Sequence, residues 1–160
     1  TTFIGATIKN NYELASKTIT KMNSEEKDWI FCKYNNKPFM LPSAYINKDI
    51  TNKKDKLDNY IYREKNITYH LVSINNIKKF ANNNIKYHRA YKKNKFLNEN
   101  GKLITPETNN SFKFEKFIFD AFYFADDMLL YRVDKNSFCP IKVKEDIIKA
   151  EEALNTKNRY

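Results

Sequence analysis

The sequence predicts an α/β fold, and three observations lead there. Short β-branched and aromatic strings alternate with short helical periods along the whole chain. The 160 residues are 41% hydrophobic, enough for one core but not for two full domains. No internal repeat is present, so stacked-repeat folds drop out.

The elements follow in order. FIGATIKN, NNYE and LASKTITK read as helix, turn and strand, the last because its threonines and isoleucine favour extended chain. WIFCKY and PFML flank Asn35 and Asn36, which tolerate the left-handed backbone of a tight hairpin turn. The polar run from 47 to 59 lacks an apolar period and reads as a surface loop. NITYHLVS alternates as a strand, and INNIKKFAN is a short helix with Ile77, Phe80 and Ala81 on its apolar face. A turn at 98–101 and the extended piece KLITP come next. SFKFEKFIFDAFYFADDM then places Phe114, Phe117, Ile118, Ala121, Phe122, Ala125 and Met128 at helical spacing, so a helix over 111–128 is predicted with Ser111 as its N-cap. LLYRVD is a strand, FCPIK a turn, and EDIIKAEEAL a final helix supported by a Glu145–Lys149 pair.

Charge and composition narrow the function. Lys and Arg total 29 against 19 acidic residues, a formal charge of +10 that suits polyanionic partners: nucleic acid, an acidic membrane or a phosphorylated small molecule. Lysine outnumbers arginine 25 to 4, which weighs against nucleic acid, where arginine's planar fork is favoured. The abundance of Lys, Asn and Ile matches an A- and T-rich coding sequence, so tracts such as Asn82–Asn84 need no functional account. Only Gly5 and Gly101 are glycine, too few for a phosphate-cradling loop, and a self-contained Walker or dinucleotide site is excluded. Cys32 and Cys139 stand too far apart for a zinc motif and read as reduced, structural thiols. No leader and no membrane-spanning run is seen, so a soluble, cytoplasmic chain with no membrane partner is expected, Thr1 reading as a cut end.

The string FKFEKFIFDAFYFADDMLLYRVDKNSFCPIK resembles the eukaryotic UDP-N-acetylglucosamine pyrophosphorylases, whose stretch has the form K-x-E-K-F-x-F-D-x-F-x-F-A, a strand, then F-S-P-L-K-N. Upstream, NITYH resembles that family's G-N-I-x-N-H, FIGA its F-I-G-F, and ASKTITKMN its G-A-K-V-V-E-K-T-N, while GKLITPE resembles the loop before the aromatic segment. The likeness runs from about position 2 to 143. It implies part of a nucleotidyltransferase-type, Rossmann-like domain with a mixed central sheet flanked by helices, residues 1–160 forming a single partial domain. It also implies uridylyl transfer from UTP to N-acetylglucosamine 1-phosphate with magnesium as cofactor, giving UDP-N-acetylglucosamine and pyrophosphate. The magnesium ligands and the glycine-rich nucleotide loop would lie in a missing N-terminal half, the chain's partner in catalysis.

Site residues carry over one by one. Asn66 falls on the asparagine that hydrogen-bonds the sugar; the bland alternative is a structural Asn in an Asn-rich chain. Phe117 and Phe119 fall on the aromatics around the N-acetyl methyl, where an apolar wall rejects a bare hydroxyl. Core packing is the alternative for both, and helical spacing assigns it to Phe117 rather than Phe119. Lys142 falls on the lysine near the phosphates, where an ammonium offsets charge as pyrophosphate leaves; a solvated lysine is its alternative. Lys17 and His70 also match, but read as structural. The departures are Pro42 where the family has a sugar-binding glutamate, Lys65 for a glycine, Tyr69 for an asparagine and Val143 for another.

Three functions therefore compete: a fragment of the uridylyltransferase, inactive alone; a non-catalytic sugar-nucleotide module, favoured by Pro42 and Lys65; and a basic nucleic-acid module, suggested by KYHRAYKKNKF from 86 to 96.

Overall fold

The computed structural model describes residues 2–26, 29–141 and 143–157. The chain opens with helix α1 (Thr2–Lys9), turns at Asn11 and enters strand β1 (Leu14–Thr20), as its sequence predicts. Strands β2 (Trp29–Tyr34) and β3 (Lys37–Pro42) form the expected hairpin. Asn35 and Asn36 carry its turn with φ of 49° and 59°, the left-handed pair that tight hairpins need.

The polar run 47–59 does lie at the surface, but it is built rather than loose. One turn of helix, α2 (Lys48–Thr51), starts at Asn47, whose side chain accepts from the Asp49 N–H. The Lys21 ammonium then donates to the Thr51 carbonyl at 3.1 Å and to Asn52 Oδ1 at 2.8 Å, tying the segment to the end of β1.

Strand β4 (Glu64–Val72) and helix α3 (Ile74–Ala81) follow, the helix capped by Ser73, which accepts from the Asn76 N–H. The buried face of α3 differs from the predicted one. Asn76 and Phe80, four apart, point into the protein, whereas Ile77 is exposed.

A two-stranded ribbon comes next, β5 (His88–Lys92) against β8 (Ser111–Glu115), with the small hairpin of β6 (Phe96–Leu97) and β7 (Leu103–Ile104) between them in sequence. Here the sequence reading is corrected, because 111–128 is not one helix. Ser111 starts a strand instead of capping a helix. Phe112 and Phe114 alternate with Lys113 and Glu115 at a period of two, and cross-strand pairing with β5 decides for extended chain. Only two short turns remain helical, α4 (Ile118–Ala121) and the 3₁₀ turn Phe122–Phe124. The helical count did capture the buried set Ala121, Phe122 and Ala125, while Phe114 and Ile118 are exposed.

Strand β9 (Leu129–Arg132) and helix α5 (Asp146–Lys157) complete the described chain. Glu145 precedes the helix, and Lys149 meets Asp146 at 3.6 Å in place of the expected Glu145.

The main sheet has the order β3-β2-β4-β1-β9, antiparallel except for the parallel pair β1·β9, so it is mixed. Leu14, Phe31, Met40, Phe80, Phe119, Ala121, Phe122 and Ala125 form the core. The short helical turns after β8 thus seal one face of the sheet and carry the residues that shape the site. Among the described residues, no helix is long and apolar enough to cross a membrane.

Candidate functional site

Strand β4 supplies the first predicted site residue. Asn66 is 7% exposed, and its Oδ1 accepts from the Thr68 N–H at 2.8 Å. That bond stabilises an irregularity: Ser16 pairs with His70 and Thr18 with Asn66, so β4 spends four residues where β1 spends two. Thr68 takes up the excess at φ 58°, a conformation that costs a β-branched residue energy and is held by the asparagine.

The Ile30·Lys65 pairing then sets Trp29 and Asn66 one step along on neighbouring strands. Trp29 meets both predicted aromatics, Phe117 at 5.1 Å and Phe119 at 4.7 Å between ring centroids, and the two phenylalanine rings lie 6.4 Å apart with nearly parallel planes. The roles expected from helical spacing are exchanged. Phe119, at 8% exposure, is core, and Phe117 is partly exposed at the mouth of a cavity. The helix starts only at Ile118, so Phe117 keeps extended backbone (φ −104°, ψ 133°) and does not follow the helical count.

The cavity holds about 270 Å³ between Trp29, Pro42, Tyr45, His88, Glu115 and Phe117 among its lining residues. Its lining mixes aromatic side chains with charged ones, a combination suited to a ligand with both apolar and polar groups. Pro42 brings no carboxylate to it, and it ends β3 at the cavity wall. Lys65 does not project freely; its ammonium pairs with Glu26 at 2.6 Å. Burial pushes the Glu26 carboxyl up, but the Lys65 bond and the Met22 N–H outweigh this and hold it below the usual range. The bulk that replaces the family glycine is thereby drawn into an ion pair.

Lys17 and His70 have structural surroundings. The Lys17 ammonium lies 4.3 Å from the Tyr69 ring centroid and 5.5 Å from that of Phe3. His70 Nδ1 bonds the buried Ser16 hydroxyl, and its ring packs on Phe119 and Phe122. Burial pushes the imidazole down to about 4, so it is neutral at physiological pH. Lys142 lies outside the described residues. Cys32 and Cys139 are both free thiols.

Sequence reasoning missed Trp29, His88 and Asp120. His88 Nε2 lies 2.6 Å from Asp120 Oδ2, and the His88 ring meets Phe117 at 5.0 Å. Thirty-two positions separate the two members of that pair, so no local spacing could have signalled it.

The mixed sheet sealed by short helices is an α/β fold, and it matches solved structures of the nucleotidyltransferase-like, UDP-sugar pyrophosphorylase class. A crystal structure from Entamoeba histolytica superposes with a TM-score of 0.79 at 26% identity, over 90% of this chain and 36% of the other. That of the Trypanosoma brucei uridine diphosphate N-acetylglucosamine pyrophosphorylase does so at 0.74 and 22% identity over 92% and 30%, a likeness of fold. The chain belongs to the UTP–glucose-1-phosphate uridylyltransferase family, whose model matches residues 1–159. Within the curated relatives, the UDP-N-acetylglucosamine pyrophosphorylase of Saccharomyces cerevisiae is 32% identical over 75% of this chain and 26% of its own length. The human UDP-N-acetylhexosamine pyrophosphorylase-like protein 1 is 26% identical over 89% and 29%. The chain thus spans less than two fifths of the length of the curated relatives it matches.

Proposed function

We propose that these residues are the sugar-side part of a UDP-N-acetylglucosamine pyrophosphorylase, a single partial domain of a larger cytoplasmic enzyme. The observation that carries the reading is the cavity bounded by Trp29, Phe117 and His88, which lies within the residues 1–159 that match the family model. In the reaction a phosphate oxygen of N-acetylglucosamine 1-phosphate attacks the α-phosphorus of UTP. The bond from that phosphorus to the β-phosphate oxygen breaks, and pyrophosphate leaves with the electron pair. Catalysis of this kind rests on positioning and charge neutralisation, so no nucleophilic side chain is required. Phe117 and Trp29 would wall the N-acetyl group, Phe119 would back them from the core, Asn66 would bond the sugar, and Lys142 would neutralise phosphate charge.

The reading calls for magnesium as well. Among the described residues no group of three or more His, Cys, Asp or Glu side chains is placed to hold a metal, so no step is assigned to one here. On the resemblance, the ion's ligands would lie outside these residues.

Amide-resolved NMR of the chain with and without UDP-N-acetylglucosamine tests the reading. Shifts confined to the surroundings of Asn66, Phe117, Phe119 and Lys142 are expected, and a dispersed spectrum indifferent to the ligand would overturn it. Taken alone, the chain is expected to release no pyrophosphate from UTP and the sugar phosphate; release that Lys142→Ala abolishes would refute this. Pro42 favours a second reading, a sugar-nucleotide module without catalysis, because the cavity wall lacks a carboxylate there. On that reading Pro42→Glu tightens sugar-nucleotide binding.

A further inference from the structure

Asp120 closes a small circuit around the cavity wall. Its backbone N–H donates to the Phe117 carbonyl at 3.2 Å. Its carboxylate lies 2.6 Å from Nε2 of His88, and a carboxylate only accepts, so the imidazole donates. The His88 ring in turn meets the Phe117 ring edge-on, 5.0 Å between centroids. Both partners are sheltered, their side chains 31% and 19% exposed, which strengthens the bond relative to one in open water. On its other sides the Phe117 ring meets Trp29 at 5.1 Å and lies parallel to Phe119 at 6.4 Å, so His88 is the polar-side member of the set of rings around a partly exposed side chain.

We propose that His88 and Asp120 are positioning residues that hold the Phe117 ring in the cavity wall and so set the preference for a 2-acetamido sugar nucleotide over its 2-hydroxy counterpart. This rests on the sugar-nucleotide reading above. An apolar wall discriminates against a bare hydroxyl only while the ring stays in place and leaves that hydroxyl unpaired. Released from His88, the ring turns aside, water enters, and the distinction fades.

The test is calorimetric binding of UDP-N-acetylglucosamine and UDP-glucose to the 160-residue chain, with aromatic ¹H–¹³C spectra reporting the Phe117 ring. Asp120→Ala and His88→Ala are expected to lower the affinity ratio about tenfold and to shift the Phe117 ring signals. Asp120→Asn keeps an acceptor for His88 and should retain the ratio to within about twofold. His88→Gln keeps a donor for Asp120 and spares the fold, yet it removes the ring beside Phe117 and must lower the ratio as well. Selective binding that survives His88→Gln, or an Asn variant as impaired as the alanine one, overturns the inference alone. Binding of neither nucleotide by the unaltered chain overturns the reading beneath it, and the inference with it.

Discussion

The five-stranded sheet and the β5·β8 ribbon use the same aromatic and β-branched vocabulary to opposite ends. In β1, Leu14, Ala15, Ser16 and Thr18 are wholly buried, and the facing layer of Phe80, Phe119 and Phe122 completes a dry core. In the ribbon, Tyr91, Phe112 and Phe114 remain 52%, 53% and 60% exposed. Its rings pair with each other and with cations: Tyr91 lies 4.7 Å from Phe112, and the Arg89 guanidinium lies 4.8 Å from the same Phe112 ring. Removal of apolar area from water holds the sheet, whereas cross-strand pairs, each contributing roughly 0.2–1 kcal/mol, hold the ribbon. The candidate site falls at the junction, where β8 runs into Phe117 and the chain dives to Phe119.

The largest expected effect is on the sheet side. Phe122→Ala should cost about 3–5 kcal/mol in urea unfolding, since the ring is wholly buried and leaves a cavity; a loss below about 1 kcal/mol would break the contrast. Next comes pH. His70 is held neutral in the fold, down at about 4 against an ordinary 6.5, because burial disfavours its charge. The unfolded chain takes up that proton first, so the part of stability that depends on His70 is full above pH 6.5, falls between 6.5 and 4, and levels below. Between pH 6.5 and 5 the depressed carboxyls of Glu26, Asp126 and Asp127 are not yet protonating, and His70→Asn should flatten urea midpoints across that interval.

Tyr91→Ala, by contrast, should cost only about 0.5–1 kcal/mol in global stability while speeding amide exchange in β5 and β8. Global unfolding would show that the ribbon is part of the core after all. Smallest is Asp126→Asn. Its carboxylate meets the ammonium groups of Lys37 at 2.7 Å and Lys79 at 3.0 Å, which hold it down at about 2, but it lies open to solvent. A slight loss of stability, erased at high salt, is expected from thermal melts.

Local chemistry made the sheet legible. Asn35 and Asn36 announced their turn because few other residues accept φ near 50°, and the alternating threonines of β1 announced a strand. Where two periods coexist, the reading failed. Phe112, Phe114, Phe117, Phe119 and Phe122 satisfy both a two-residue and a three-to-four-residue spacing, and only pairing with β5, itself distant in sequence, chose between them. On α3 the inward face is the one that packs Phe80 against Phe122, and it carries the polar Asn76 inward and leaves Ile77 exposed. Of the candidate site, the resemblance supplied Phe117 and Phe119, whose rings both meet Trp29, and Asn66, which is buried on the neighbouring strand and is not among the residues lining the cavity. The His88–Asp120 pair stayed hidden because it exists only once β5 and β8 have paired.

The bond from the Thr68 N–H to Asn66 Oδ1 gives the side chain a folding duty beside the recognition role proposed for it. With one lone pair of its oxygen engaged on the bulge, the amide keeps both N–H hydrogens and a second lone pair, so its nitrogen is the end not tied to the fold. Aspartate at this position would keep the turn and lose those hydrogens, leucine would lose both, and comparing them separates what the residue does for folding from what it does for recognition.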